Sequence, residues 1–173
     1  IQGNLDQYNS QPNFFYPVVA NNGQTYYIAH GKDPNFPEWA DTLQLNYGVP
    51  ELHDEMTKQL LELSRHSDGV RCDMAMLLDP STFIRTWGWL LSGEQKSFIE
   101  KHSFWHEKIP LIKENLCRQF DFFGEIYWDK EYLGHVFDYI YNQDFYKILL
   151  ESPQALKSQV QKILAAEKNG RHY

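Results

Sequence analysis

Arg71 and Asp73 stand two residues apart inside an apolar run, Asp68-Gly69-Val70-Arg71-Cys72-Asp73-Met74-Ala75-Met76-Leu77-Leu78. The run has the form of one buried parallel strand, entered through Asp68-Gly69 and left through Asp79-Pro80. Side chains alternate along a strand, so Arg71 and Asp73 point to the same face. Burying an arginine beside a carboxylate is costly unless each satisfies the other. A structural ion pair is one reading. A second carboxylate opens another: Glu125, near the C-terminal end of the aromatic run Phe120-Asp121-Phe122-Phe123-Gly124-Glu125-Ile126-Tyr127-Trp128-Asp129. Helical segments separate the runs, the order of a β/α barrel or a doubly wound sheet. In such folds, acids at the C-terminal ends of different strands meet over one cleft. Two meeting carboxylates suit glycoside hydrolysis with retention, one attacking and one protonating, at a spacing of about 5–5.5 Å.

The motifs also carry a resemblance. Asp68-Gly69-Val70-Arg71-Cys72-Asp73-Met74-Ala75 resembles the fourth-strand motif of the α-amylase family of glycoside hydrolases, whose Asp is the nucleophile. Gly124-Glu125-Ile126-Tyr127-Trp128 is similar to the fifth-strand motif, whose Glu is the general acid/base. Asp41-Thr42-Leu43-Gln44-Leu45-Asn46-Tyr47 resembles the short motif between the third and fourth strands. Together they span roughly residues 39–146. The resemblance implies an α/β chain that forms part of a (β/α)8 TIM barrel, covering about strands 4 and 5 with flanking helices and the long loop before them. Residues 1–38 would be a loop or small subdomain after strand 3, and 39–173 the barrel segment. Asp73 would be the nucleophile, with Arg71 holding it ionised and oriented. Glu125, among aromatic rings, would keep a raised pKa and protonate the leaving oxygen. Tyr127, Trp128 and Trp39 are candidate sugar platforms, each equally able to be core. The implied substrate is an α-glucan oligosaccharide or polysaccharide.

The departures are as informative. The family's third-strand Asp and Asn-His pair, and its seventh-strand His-Asp with the third essential acid, have no counterpart here. Met76-Leu77 replaces the Lys-His that often follows the nucleophile, and Gln44 replaces the middle Asp of the upstream motif. No cofactor is required, and the residues present do not support a structural calcium. Hydrolysis and glucanotransfer share the covalent intermediate, and a non-catalytic carbohydrate-binding or structural piece is the reading from another class. About half of the eight β/α units is covered, so strand edges and apolar faces would need the remainder of the barrel, or self-association, to cover them.

Composition sets the frame around these motifs. The chain has 173 residues, 42% hydrophobic and 16% aromatic, enough for a substantial core and suited to packing against sugar C–H faces. A net charge of −7 argues against nucleic acid or an anionic membrane surface as partner. No run approaches the roughly 20 apolar residues of a membrane span. The first residue is Ile1 rather than Met and this segment contains no signal peptide, so the start reads as a cut; the compartment stays open, with the cytoplasm slightly favoured. Two cysteines make no disulfide framework, and both Cys72 and Cys117 are expected to be buried thiols.

Along the chain, Asn21-Asn22-Gly23-Gln24 predicts a hairpin between 16–20 and 25–29. Pro50 opens a helix whose apolar positions are Leu52, Met56, Leu60, Leu61 and Leu63, leaving His53 and His66 exposed. A helix is expected after Pro80, a short one over 94–101 and a third over 109–120. His102 and His106, four apart beside Glu107, would share one helical face, short of a metal set. Helices are expected over 145–150 and 153–167, the last capped by Lys168-Asn169-Gly170.

Overall fold

A computed structural model describes residues 1–128 and 130–167. In chain order it begins with β1 (Gln2–Gly3), α1 (Leu5–Ser10), β2 (Phe15–Val19), β3 (Thr25–Ala29), β4 (Gly31–Lys32) and β5 (Glu38–Trp39). Then come α2 (Pro50–Leu63), β6 (Gly69–Cys72), α3 (Pro80–Trp87), α4 (Gly93–Lys101), α5 (Phe104–Asn115) and β7 (Asp121–Gly124). The last described elements are α6 (Lys130–Leu133), β8 (Tyr139–Ile140), α7 (Gln143–Glu151) and α8 (Leu156–Glu167). By compactness the chain divides into Ile1–Asp54 with Pro80–Ser103, and Glu55–Asp79 with Phe104–Tyr173. The fold is mixed α/β, and none of the sheets among the described residues is closed.

The first unit is built on the expected hairpin. β2 and β3 pair antiparallel from Phe15↔Ala29 to Val19↔Thr25, and β1 adds to the far side of β3. Asn22 Oδ1 accepts from Gln24 N–H at 3.0 Å, and Gly23 takes φ +80°, a region glycine enters without a Cβ penalty. Below the hairpin, Phe14 packs against Phe15, Trp87 and Trp89 with ring centroids 5.1–5.5 Å apart. The Asp41–Tyr47 motif is an irregular segment, tied down by Gln44 N–H to Ala29 O at 2.8 Å and by His30 Nδ1–H to Thr42 O at 2.8 Å.

The second unit is organised on a three-stranded parallel sheet in the order β6-β7-β8. Gly69–Cys72 pairs with Asp121–Gly124, and Phe123-Gly124 pairs with Tyr139-Ile140. A Cβ on Gly69 would sit 2.5 Å from the Asp121 carbonyl oxygen, so the strands meet closely where the pairing begins. One face carries the row Arg71, Phe123, Tyr139; the opposite face carries Val70 and the fully buried Phe122. Asp138 clamps this sheet from below: its carboxylate accepts Phe122 N–H at 2.8 Å and the Lys113 ammonium at 2.5 Å.

Several elements differ from the sequence reading, each for a local reason. The strand expected over 68–78 stops at Cys72, and Ala75–Leu78 forms a 3-10 turn. Ala, Met and Leu are helix formers with no branching at Cβ, so the apolar run does not continue as a strand. The helix expected over 109–120 runs from Phe104 to Asn115 with Pro110 inside. Burying Phe104, Trp105, Ile109 and Ile112, at about 1.5–3 kcal/mol each, outweighs the roughly 3 kcal/mol cost of an interior proline. On α2 the buried side chains are His53, Thr57 and Leu60, while Leu63 is exposed. His53 is therefore enclosed rather than exposed, its Nε2–H donating to Tyr47 O at 3.0 Å. His66 is exposed as expected. His102 caps α4 and stacks on Phe98, whereas His106 lies in α5 against Tyr132, so the two do not share a helix. Cys117 is exposed because α5 has ended before it; Cys72 is buried. The proposed cap at Lys168-Asn169-Gly170 lies outside the described residues.

Burial pushes the Cys72 thiol up to about 12. Iodoacetamide at pH 8 is expected to alkylate the folded chain once, at Cys117, with Cys72 reacting only after denaturation; two rapid additions by mass would contradict the burial. Phe122→Ala removes a fully enclosed ring from the central strand and is expected to cost about 3–5 kcal/mol in urea unfolding. A cost below about 1 kcal/mol would show that β7 is not the core of this sheet.

Candidate active site

The site is built on the C-terminal ends of β6 and β7. Arg71 leaves β6 on the open face of an edge strand. Its side chain is 47% exposed and that of Asp73 71%, so the pair sits on the rim instead of the buried inner face expected for a central strand. Directly after Cys72 the chain turns. Met74 adopts φ 44°, ψ 44°, a left-handed conformation that costs a residue with a Cβ roughly 1–2 kcal/mol. The turn is stabilised by Glu125: Met74 N–H donates to Glu125 Oε2 at 2.9 Å, and Ala75 N–H to the Glu125 carbonyl at 3.0 Å. Glu125 N–H in turn donates to Cys72 O at 3.0 Å, extending the β6–β7 ladder by one step. From below, the buried Trp105 indole N–H holds Ala75 O at 2.9 Å.

One guanidinium joins the two acids. Arg71 Nη1 donates to Asp73 Oδ1, and Nη2 to Glu125 Oε2 at 2.8 Å. The two carboxyls thus converge on one side of neighbouring parallel strands. Glu125 is 8% exposed and its second oxygen, Oε1, accepts the Tyr127 hydroxyl. Burial raises the Glu125 pKa, but the Tyr127 hydroxyl, the Met74 N–H, the hydrogen-bonded Asp73 side chain and the Arg71 charge lower it by more. The net direction is down, against the raised value expected from the aromatic surroundings. Donors reach the carboxylate that rings alone would have left unsolvated. The same contact pushes the Tyr127 phenol up to about 12, since losing its proton would place a second negative charge beside Glu125.

The expected platforms are placed unequally. Tyr127 is half-buried with its hydroxyl committed to Glu125, so it is a partner of the acid before it is a stacking surface. Trp128 is half-buried, and its indole N–H is enclosed without a hydrogen-bond partner among the described residues. Trp39 belongs to the first unit, half-buried on β5 opposite Gly31. Tyr141 was not singled out by the sequence, yet its hydroxyl accepts Arg71 Nε–H at 3.0 Å. No spacing signal links residues 71 and 141; only the parallel pairing brings them together. Beside the acids, Phe123, Tyr127, Tyr139, Tyr141, Asn142 and Tyr146 line an open cleft of about 580 Å³. Among the described residues no group of three or more His, Cys, Asp or Glu side chains is arranged to hold a metal ion, and no helix is long and apolar enough to cross a membrane.

The chain matches no protein-family model, no curated protein and no solved structure.

A depressed carboxylate pKa contributes stability that is present above the unfolded value, here about 4.5, and is lost as pH falls through the lower folded value. Tyr127→Phe removes one donor and is expected to move the Glu125 midpoint upward in a ¹³C-carboxyl NMR titration. The acid limb of the stability curve should then begin at higher pH. An unchanged midpoint in a folded variant would show that the Tyr127 hydroxyl does not control this carboxyl.

Proposed function

We propose that these residues belong to an α-amylase-type glycoside hydrolase, a (β/α)8-barrel enzyme that cleaves α-glucosidic bonds of starch- or glycogen-like glucans with retention. The observation that carries the reading is the pair of acids at the ends of adjacent parallel strands, bridged by one arginine. It is supported by the resemblance of 68–75, 124–128 and 41–47 to motifs of that family. The two parallel pairings in chain order are compatible with a barrel segment, and equally with a doubly wound sheet.

In this reading an Asp73 carboxylate oxygen attacks the anomeric carbon, forming a glycosyl ester as the bond to the leaving oxygen breaks. Glu125 gives its proton to that oxygen. Water then attacks the anomeric carbon, its bond to the Asp73 oxygen breaks, Glu125 takes the water's proton, and Asp73 is released as a carboxylate. Arg71 orients the Asp73 carboxylate through a charge-assisted hydrogen bond. The exposure of Asp73 leaves it accessible to a sugar, while the nearly enclosed Glu125 is held as a carboxylate in the free chain, the form the second step needs. Protonating the leaving oxygen requires the Arg71 and Tyr127 contacts to loosen when substrate displaces water. The open aromatic cleft beside the acids offers ring faces on which sugar C–H surfaces pack. A transferase would use the same ester with a sugar hydroxyl in place of water.

Asp73→Asn keeps the shape of the side chain and removes the nucleophile. In a preparation that carries the whole barrel, it is expected to lower maltooligosaccharide cleavage by more than about a thousandfold with the unfolding midpoint nearly unchanged. Retention of more than a few per cent of turnover would remove Asp73 from this role.

A further inference from the structure

We propose that Tyr141 is a positioning residue of this site: its hydroxyl fixes the guanidinium of Arg71 in the one orientation that reaches both carboxyls. The functional consequence rests on the reading of Asp73 and Glu125 as the working acids; the geometry and its test do not.

A guanidinium is a planar fork with donors on three edges. Facing a carboxylate, its most favourable arrangement is bidentate, two parallel N–H groups to two oxygens. Arg71 is half-exposed and has two carboxylates within reach, so nothing in its own strand prevents such a bidentate grip on one of them. That grip would abandon the other acid. In the structure the fork is instead divided: Nη1 goes to Asp73, Nη2 to Glu125, and Nε–H to the Tyr141 hydroxyl. With Nε–H committed, the side-on pairing through Nε and one Nη is closed to either carboxylate, and an end-on grip of both Nη groups on one acid would require the fork to rotate away from its Tyr141 contact. One Nη remains for each.

Tyr141 is well placed to impose this. It follows β8 directly, and its backbone N–H donates to Gly124 O at 3.1 Å, on the residue before Glu125. Its position is therefore referred to the same strand end as the acid it serves. Its ring also lies against the guanidinium, 5.5 Å from centroid to Cζ, a distance at which the ring quadrupole favours the cation. The charged and titratable groups facing Glu125 are then Arg71 and Asp73 from β6 and its turn, and Tyr127 from its own segment. Tyr141 acts on Glu125 only through Arg71.

The test uses chain 1–173 and no sugar. The Arg71 Nε–H resonance, identified by its loss in Arg71→Lys, is expected to exchange with water much more slowly in the folded chain than in urea. Tyr141→Phe keeps the ring and deletes the acceptor. It should accelerate that exchange by about tenfold and move the ¹³C-carboxyl midpoint of Glu125 upward, with the unfolding midpoint little changed. A packing role alone would leave both signals where they are. The proposal is overturned if folded Tyr141→Phe shows unchanged exchange and midpoint. It is also overturned, without any variant, if the wild-type Nε–H exchanges as fast as in the unfolded chain. Since no turnover is read, these results stand apart from the outcome for Asp73→Asn.

Discussion

The division of one guanidinium between two carboxylates is the constraint on which this site depends. Asp73 and Glu125 end neighbouring parallel strands, and parallel pairing brings like ends of strands together. Two carboxylates placed there repel each other, and Glu125 is nearly enclosed. Without Arg71, the two carboxylates would face each other with no cation between them. With Arg71 between them both acids stay close, each with a charge-assisted hydrogen bond. An arginine at this place is not interchangeable with lysine, whose single ammonium has no fork to divide.

Everything around the pair serves to hold it at the strand ends. The left-handed Met74 stores a small conformational cost and turns its N–H into a donor for Glu125. Trp105 anchors the following residue from the core, so the turn carrying Asp73 is tied to α5 as well as to the sheet. Tyr127 closes the remaining oxygen of Glu125. The result is an acid with donors on both oxygens, which explains why burial fails to raise its pKa. Burial penalises an ion only to the extent that the protein does not replace the water it removes.

The cleft next to the acids has the same origin. Arg71, Phe123 and Tyr139 lie in one row because the strands pair in register, and Phe123 and Tyr139 stack at 4.6 Å with ring planes 18° apart. Aromatic side chains on this face give a broad apolar surface whose polar edges are the tyrosine hydroxyls, Asn142 and Gln143. Such a surface suits a ligand with both C–H faces and hydroxyls.

Much of this was legible in the sequence. Arg71 and Asp73 share a face because two residues along a strand always do. The hairpin followed from Asn22-Gly23, and the start of α2 from Pro50, since these residues restrict the backbone locally. Glu125 stood out as an acid in an aromatic run. Where the sequence misled, the deciding quantity was non-local. The strand over 69–72 ends where Glu125 can satisfy Met74 and Ala75, and no residue near 74 announces that partner. Whether Arg71 is buried depends on β6 being an edge strand, which is a property of the sheet. The direction of the Glu125 pKa depends on donors that lie two, fifty-one and fifty-four residues away along the chain. Tyr141, seventy residues from Arg71, is brought to it only by the β6–β7 and β7–β8 pairings together. Sequence determines what a residue can donate, accept or bury, because those are properties of the side chain. Which partner it meets, and hence the charge it carries, is set by strand order and register in the folded chain.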